Sequence, residues 1–237
     1  MSAFFNGLWL GAMDRDTLDL IDEIYYEGKS QYVDEAYNLS GLRDWEAEMI
    51  EQHFPDSGRV VVTGAGGGRE VLALLERGFD AVGYEPNEQL VTAGGAFLER
   101  RGHGNRLHVV DRDAFPGEAG RCDAVVVGWG SYMLIPGRAR RVAFLRGARR
   151  CLPEGAPILL SFFARPPEAR SFVTISLVAN VVRRLRGLPR VDLGDALSPN
   201  YTHHFTRDDV ASELREAGFR LVVFEPEPYG HAVARAA

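Results

Sequence analysis

Residues 59–78 of this 237-residue chain read RVVVTGAGGGREVLALLERG, and the fold class follows from that stretch. The β-branched run at 59–63 is typical of a buried strand, and 69–77 has the apolar spacing of a helix that Gly78 ends. Four glycines in five residues join the two elements. Ordering four glycines costs more conformational entropy than a turn without a ligand would need, but glycines let the backbone approach a ligand closely. Because a helix N-terminus also favours anionic groups, we predict a ligand-binding turn.

The rest of the chain continues to alternate strands and helices. Further strand-like runs lie at 81–85, 106–110, 123–128, 157–163, 221–225 and 231–236. Helical patterns lie at 14–27, 43–54, about 86–101, about 137–151, roughly 169–186 and within 205–219. Apolar runs separated by helices indicate a parallel sheet covered on both faces. The last two runs are joined by a short turn, which makes that pair antiparallel. We therefore expect an α/β protein with a seven-stranded, mostly parallel sheet and an antiparallel C-terminal hairpin.

Composition narrows the class of protein. The formal charge is −6, and 46% of residues are hydrophobic and 25% charged, as in ordinary globular proteins. This excludes collagen-like, disordered and small disulfide-scaffold classes, and it disfavours a basic nucleic-acid clamp. Cys122 and Cys151 imply no disulfide framework. Residues 1–11 lack the basic start and cleavage site of a signal peptide, and no apolar run could span a bilayer. We expect a cytoplasmic protein with no membrane or nucleic-acid partner.

The spacing of the glycines and one acidic residue limits the choice of ligand. A dinucleotide-binding turn would read G-x-G-x-x-G, but the sixth position from Gly64 is Arg69. The spacing that fits is G-x-G-x-G at Gly64, Gly66 and Gly68. Glu85 ends the second predicted strand, where a carboxylate can accept hydrogen bonds from both hydroxyls of a ribose. A solvated charge at a strand end is the alternative for Glu85.

Six segments together resemble the class I S-adenosylmethionine-dependent methyltransferases over roughly residues 43–237. They are the glycine turn, GYEPN at 83–87, DAFP at 113–116, CDAVVVGWGSYMLI at 122–135, RRCLPEGAPILLSFF at 149–163, and FTRDDVASELREAGF at 205–219 with the last two strands. The resemblance implies a Rossmann-like fold with helices on both sheet faces, and S-adenosylmethionine as cofactor. It departs from the family pattern at Val62, where an acidic residue usually precedes the glycines by two positions.

The same resemblance assigns roles to individual residues. The glycines would lie under the methionyl part of the cofactor, Glu85 would bind the ribose, and Asp113 would accept from the adenine amino group. The Ala114 N–H would donate to the adenine ring, and Asp111 competes for the role of Asp113. Arg69 would hold the methionyl carboxylate, unless it is a surface arginine. The complete predicted cofactor set is Gly64, Ala65, Gly66, Gly68, Glu85, Pro86, Asp113, Ala114, Gly128 and Trp129.

Substrates should lie where the carboxyl ends of the strands open. Either Trp129 or Tyr132 could face the cofactor's sulfonium through a cation–π contact. His203 and His204 are general-base candidates, since a neutral imidazole can accept a proton from a hydroxyl or an amine. Their alternative role is packing or capping, and no metal site is predicted. The predicted catalytic set is therefore His203, His204 and Tyr132.

We expect four parts along the chain: an N-terminal helical cover (1–42), a cofactor-binding core (43–163), a helical lid insertion (164–200) and the end of the core (201–237). The tyrosines of the cover, at 25, 26, 32 and 37, could line the pocket. The expected function is methyl transfer to an O, N or other nucleophile of a small molecule. A nicotinamide-dependent oxidoreductase and a noncatalytic cofactor-binding protein remain as alternatives. The sequence is silent on oligomeric state.

Overall fold

The computed structural model describes residues 2–27, 30–166 and 168–237. Its strands are β1 (Arg59–Thr63), β2 (Asp80–Glu85), β3 (Leu107–Val109), β4 (Ala124–Val127), β5 (Pro157–Ala164), β6 (Asp195–Leu197), β7 (Tyr201–Phe205), β8 (Phe219–Glu225) and β9 (Gly230–Ala236). Its helices are α1 (Ala3–Ala12), α2 (Arg15–Glu27), α3 (Glu35–Asn38), α4 (Asp44–His53), α5 (Arg69–Glu76), α6 (Glu88–Arg100), α7 (Arg138–Cys151), α8 (Arg170–Arg186) and α9 (Arg207–Glu216).

Seven strands form the predicted sheet, in the order β3-β2-β1-β4-β5-β9-β8. The first five are parallel, and β9 runs antiparallel to both β5 and β8. The expected α/β class, mostly parallel sheet and C-terminal antiparallel pair are thus confirmed. The chain leaves β1 for β2 on one side and later returns to place β4 on the other. Such a reversal of strand order opens a crevice at the carboxyl ends of β1 and β4, where ligands of α/β sheets bind.

Two short strands that the sequence patterns missed join this sheet, so it has nine strands among the described residues and not the seven expected. β5 extends beyond β9, whose pairing ends at Phe162, so Phe163 and Ala164 need other partners for their backbone groups. β7 supplies them in parallel, and β6 pairs with β7 in the antiparallel sense. The segment just before the last helix, for which no strand was predicted, is therefore a sheet strand.

Helices cover the sheet on both faces, because side chains of each buried strand alternate between two cores. In β1, Val61 packs into a cluster with residues of α7 and α9, whereas Val60 and Val62 pack into a cluster with residues of α4, α5 and α6. A third, smaller cluster lies among α1, α2, α8, β6 and β7. No helix in the described part of the chain has the length and apolar character needed to cross a membrane.

Candidate active site

A cleft that opens to solvent lies at the carboxyl ends of β1, β2 and β4. Ligands of α/β sheets bind at this position in the fold. Seven predicted cofactor residues line it: Gly64, Gly66, Glu85, Pro86, Asp113, Ala114 and Trp129. The structure therefore brings together segments that the sequence placed at the ends of four different strands.

The glycine turn has a backbone that side chains would disrupt. Gly64, Gly66 and Gly68 all have positive φ, at 61°, 53° and 97°. A Cβ at Gly64 would overlap the Ser131 hydroxyl, and one at Gly128 would overlap the Gly64 carbonyl oxygen. Gly64 and Gly66 face the cleft. The predicted residues Ala65, Gly68 and Gly128 do not line the cleft and instead shape the turn from behind.

Glu85 ends β2 with its carboxylate in the cleft wall, only 8% exposed. One carboxylate oxygen accepts from the Gly66 N–H and the other from the Asn87 N–H, both at 3.0 Å. Burial raises the pKa of this carboxyl, and the two amide donors oppose that shift. An ionised carboxylate has about four acceptor positions, so two remain for a ligand. The glycine turn and Glu85 are therefore held in one rigid unit.

The segment after β3 differs from the expected arrangement. Asp113 has a φ of 62°, and its carboxylate is ion-paired with Arg15 of α2. The Ala114 N–H donates to the Asp111 carbonyl oxygen at 3.1 Å. Asp113 and Ala114 thus reach the cleft as predicted, but both polar groups already have partners within the chain. Asp111 also lines the cleft.

Arg69 is not the carboxylate-binding group suggested above. It is 2% exposed and forms two hydrogen bonds with Glu46, at 2.7 and 2.8 Å, and one with Glu70 at 2.6 Å. The alternative, a solvated arginine, is equally wrong. Moving this guanidinium into the cleft would leave two buried carboxylates without their positive partner, which is strongly unfavourable. Arg69 therefore fixes α4 against α5.

Trp129 lines the cleft beside an arginine that the sequence patterns did not single out. The Arg43 guanidinium carbon lies 4.4 Å from the centroid of the Trp129 ring, and it also lies over Tyr229 at 5.7 Å. No carboxylate among the described residues pairs with Arg43, and its Nε is buried without a hydrogen-bond partner. Arg43 does not itself line the cleft, but it packs on the ring of Trp129, which does. No local motif could have identified it, since Arg43 and Trp129 are far apart in sequence.

The predicted catalytic residues are not in this cleft, and for Tyr132 the reason is its burial. Tyr132 has no exposed surface, and its hydroxyl donates to Glu213 at 2.6 Å. Burial raises the pKa of Tyr132 well above the usual value, and the charge of Glu213 adds to this shift. Its ring stacks on Phe205 in the core. The expectation that it faces a sulfonium is wrong.

The two histidines belong to β7, which explains their position. His203 is 2% exposed, and its Nδ1 lies 2.6 Å from Asp195 of β6. His204 packs between Phe163 and Phe172. Burial is the main cause that lowers its pKa to about 4, and the charges of His203 and Arg165 add to it. Neither histidine lines the cleft. The structure favours their alternative packing role.

His203 also belongs to a group whose donor atoms come within 4.8 Å of one another, together with Asp192 and Asp195. The Asp195 carboxylate already accepts from the Tyr201 hydroxyl at 2.7 Å. Asp192 accepts from the Arg141 guanidinium at 3.2 Å. A fixed positive charge beside the group opposes a cation there.

The N-terminal segment forms one wall of the cleft. Among the four tyrosines considered above, Tyr26 and Tyr32 line it, whereas Tyr25 and Tyr37 do not. Burial raises the pKa of Tyr26 and the nearby carboxylate of Asp22 raises it further, so the phenol stays protonated. Asp22 also lines the cleft and was missed by the sequence patterns. Its carboxylate pairs with Arg112, which anchors α2 to the segment after β3.

No protein-family model matches the sequence, and no curated protein is detectably similar to it. Solved structures do share the fold. A SAM-dependent methyltransferase from Methanosarcina mazei has a TM-score of 0.64 at 16% identity, covering 82% of this chain and 98% of its own. An amino pentose methyltransferase from Micromonospora echinaspora, with SAM bound, has 0.58 at 18%, covering 92% and 97%. The Burkholderia thailandensis 1,6-didemethyltoxoflavin-N1-methyltransferase has 0.60 at 19%, covering 92% and 86%. The chain therefore has the fold of the class I S-adenosylmethionine-dependent methyltransferases.

Proposed function

We propose that this protein transfers a methyl group from S-adenosylmethionine to an O, N or other nucleophile of a small molecule. The observation that carries the proposal is the pairing of a glycine turn with a buried carboxylate: Glu85 is hydrogen-bonded to Gly66 at 3.0 Å and faces the same cleft. The shared fold supports it, since two of the structures compared above carry SAM or S-adenosylhomocysteine.

The residues of the cleft fit this cofactor. Glu85 keeps two acceptor positions, which is the number that two ribose hydroxyls require. The glycine turn lets the backbone lie against the methionyl chain, and its packing against the rest of the chain leaves no room for a side chain at Gly64, where a Cβ would overlap the Ser131 hydroxyl. Arg43 packs on the ring of the cleft residue Trp129 and would reach the methionyl carboxylate from beside the cleft, the role we first considered for Arg69. Trp129 would offer its ring to the sulfonium, a contact worth roughly 0.5–2 kcal/mol.

The bound cofactor would supply a methyl group already activated by the sulfonium, so the protein's main task is alignment. Holding two reactants in line can account for about 7–11 kcal/mol of a barrier. The protonated Tyr26 can donate a hydrogen bond to the acceptor, and with Asp22 and Tyr32 it closes one side of the cleft. In this proposal residues 1–42 act as a cover and 164–200 as a lid insertion on the core.

A small-molecule acceptor has two supports. Two of the structures compared above are named for small acceptors, an amino pentose and 1,6-didemethyltoxoflavin. The net charge of −6 is unsuited to the phosphate backbone of a nucleic acid. The location we propose is the cytoplasm, as the sequence led us to expect.

Calorimetry with S-adenosylmethionine, S-adenosylhomocysteine and NAD, each titrated separately, tests the cofactor. We expect both sulfur compounds to bind and NAD not to bind; the reverse would indicate the oxidoreductase alternative. Incubation with the methyl-labelled donor and a broad metabolite extract then tests activity. Binding without any label transfer would favour the noncatalytic alternative.

A further inference from the structure

The outer face of α1 and α8 carries an apolar surface that nothing in the described chain covers. α1 exposes Phe4, Phe5, Leu8 and Trp9, and α8 exposes Val173, Leu177, Val181 and Leu185. We call these eight residues the α1/α8 patch. Leu177, Val181 and Leu185 are 64%, 62% and 83% exposed, although each lies within a well-formed helix.

The two helices form one layer. A Cβ on Gly7 would lie 2.6 Å from the Ile175 carbonyl oxygen, and one on Gly11 would lie 2.7 Å from Val182 Cβ, so α8 packs directly against the backbone of α1 at these two glycines. Their inner sides are buried in the third cluster through Leu10 and Ile175. Helical periodicity then places the patch residues of both helices away from that cluster.

The patch is larger than a monomeric protein commonly exposes. At their observed exposures the eight side chains present about 800 Å² of apolar surface, against roughly 300–600 Å² for the largest patch of a typical monomer. About 800 Å² is also what each partner contributes to a standard protein interface. We propose that a second copy of this chain covers the patch, giving a two-fold symmetric dimer.

The spacing of the α8 residues suits a copy of itself. Val173, Leu177, Val181 and Leu185 recur every four residues and form one continuous ridge. Ridges of this type interdigitate at a crossing angle of about −50°. In the antiparallel sense, Leu177 would meet the partner's Val181, and Val181 would meet the partner's Leu177. The two α8 helices would cross between Leu177 and Val181 and diverge on either side, so the ends of each α8 would lie over α1 of the other subunit.

Charges around the patch favour a protein partner over an anionic lipid surface. α8 ends in three arginines, but Arg183 donates to the carbonyl oxygens of Leu10 and Met13. Arg186 likewise donates to the Ala12 carbonyl oxygen. α1 itself contains no charged residue. Arg183 is thus buried in the layer and Arg186 is bonded to the end of α1, and the whole chain is acidic.

Sedimentation equilibrium of the full chain tests the proposal. We expect the 26.2 kDa chain to sediment at twice its mass at micromolar concentrations. The variant Leu177→Glu places two carboxylates at the symmetric centre and should sediment as a monomer. Val222→Glu is the matched control, since Val222 is an exposed apolar residue of β8 outside the patch, and it should remain dimeric. S-adenosylhomocysteine binding should be unchanged in both variants, because neither residue lines the cleft.

Cysteine cross-linking gives a second test that does not depend on the folding of Leu177→Glu. The double variant Leu177→Cys/Val181→Cys should form a covalent dimer under mild oxidation, whereas Val222→Cys and the unmodified chain should not. A wild-type protein that stays monomeric overturns the proposal, as does a Leu177→Glu variant that remains dimeric. Binding of a wild-type monomer to vesicles of phosphatidylglycerol, lost in Leu177→Glu, would assign the patch to lipid instead.

Discussion

Replacing Glu85 with glutamine tests the centre of the proposed cofactor site. The side chain keeps its size but loses its charge, and one of its oxygens becomes an amide that faces a backbone N–H of Gly66 or Asn87. A hydrogen bond to a charged group contributes about 1.5–3 kcal/mol. Affinity for S-adenosylhomocysteine should therefore fall roughly 10- to 150-fold, taking about 1.4 kcal/mol for each factor of ten.

Isothermal titration calorimetry measures this loss directly. Glu88→Gln is the matched control, because it removes the same charge from a nearby residue that is exposed in the first turn of α6. It should bind as tightly as the wild type. The wild type, but not Glu85→Gln, should also discriminate against an analogue without the ribose 2′-hydroxyl. If Glu85→Gln folds normally and binds within twofold of the wild type, the ribose assignment fails.

Glu85 also makes binding depend on pH, and the direction follows from its burial. In the free protein burial raises the pKa of this carboxyl above its ordinary 4.5. Hydroxyl donors from a bound ribose would favour the charged form, so the pKa falls on binding and a proton is released. Affinity should thus decrease as the pH drops through the raised pKa. Glu85→Gln should have a flatter profile, and identical profiles would contradict the linkage.

Three further substitutions separate binding, cover and stability. Arg43→Ala should weaken S-adenosylhomocysteine about tenfold or more by calorimetry, yet leave 5′-methylthioadenosine, which lacks the carboxylate, unchanged; equal losses would refute this role. Asp22→Asn removes the ion pair that holds α2 against Arg112 beside the cleft. Stopped-flow fluorescence should therefore record a several-fold faster release of S-adenosylhomocysteine, and an unchanged rate would show that this ion pair does not retain the ligand. Tyr132→Phe loses its hydrogen bond to Glu213 and should lower the free energy of unfolding by about 1–3 kcal/mol with kcat unchanged; a stable but inactive variant would restore Tyr132 as a catalytic residue.

The glycine turn and the carboxylate could be predicted because both depend on local properties. The positive φ of Gly64, Gly66 and Gly68 is a conformation that glycine adopts readily, so the sequence marks it. Glu85 follows a buried strand, and the carboxyl ends of parallel strands meet at one edge of a sheet. The position of both in one cleft then follows from strand order.

The catalytic prediction was wrong because position along the chain does not give the direction of a side chain. His203 and His204 precede the last helix, as the pattern required, but they belong to β7 and pack against Asp195 and Phe172. The pairing that forms β7 depends on how far β5 extends past β9. That length is a property of the assembled sheet.

From the amino-acid order alone follow the alternation of helices and strands, the glycine-lined turn and the acid one strand away, since each is encoded by neighbours or by a short period. Folding in three dimensions selected the ion-pair partners. Arg69 with Glu46, Arg15 with Asp113 and Asp22 with Arg112 are separated by 23, 98 and 90 residues. Charged side chains pair with whichever opposite charge the packed backbone brings within reach, and the packing of α2 and α4 against the core determines that choice.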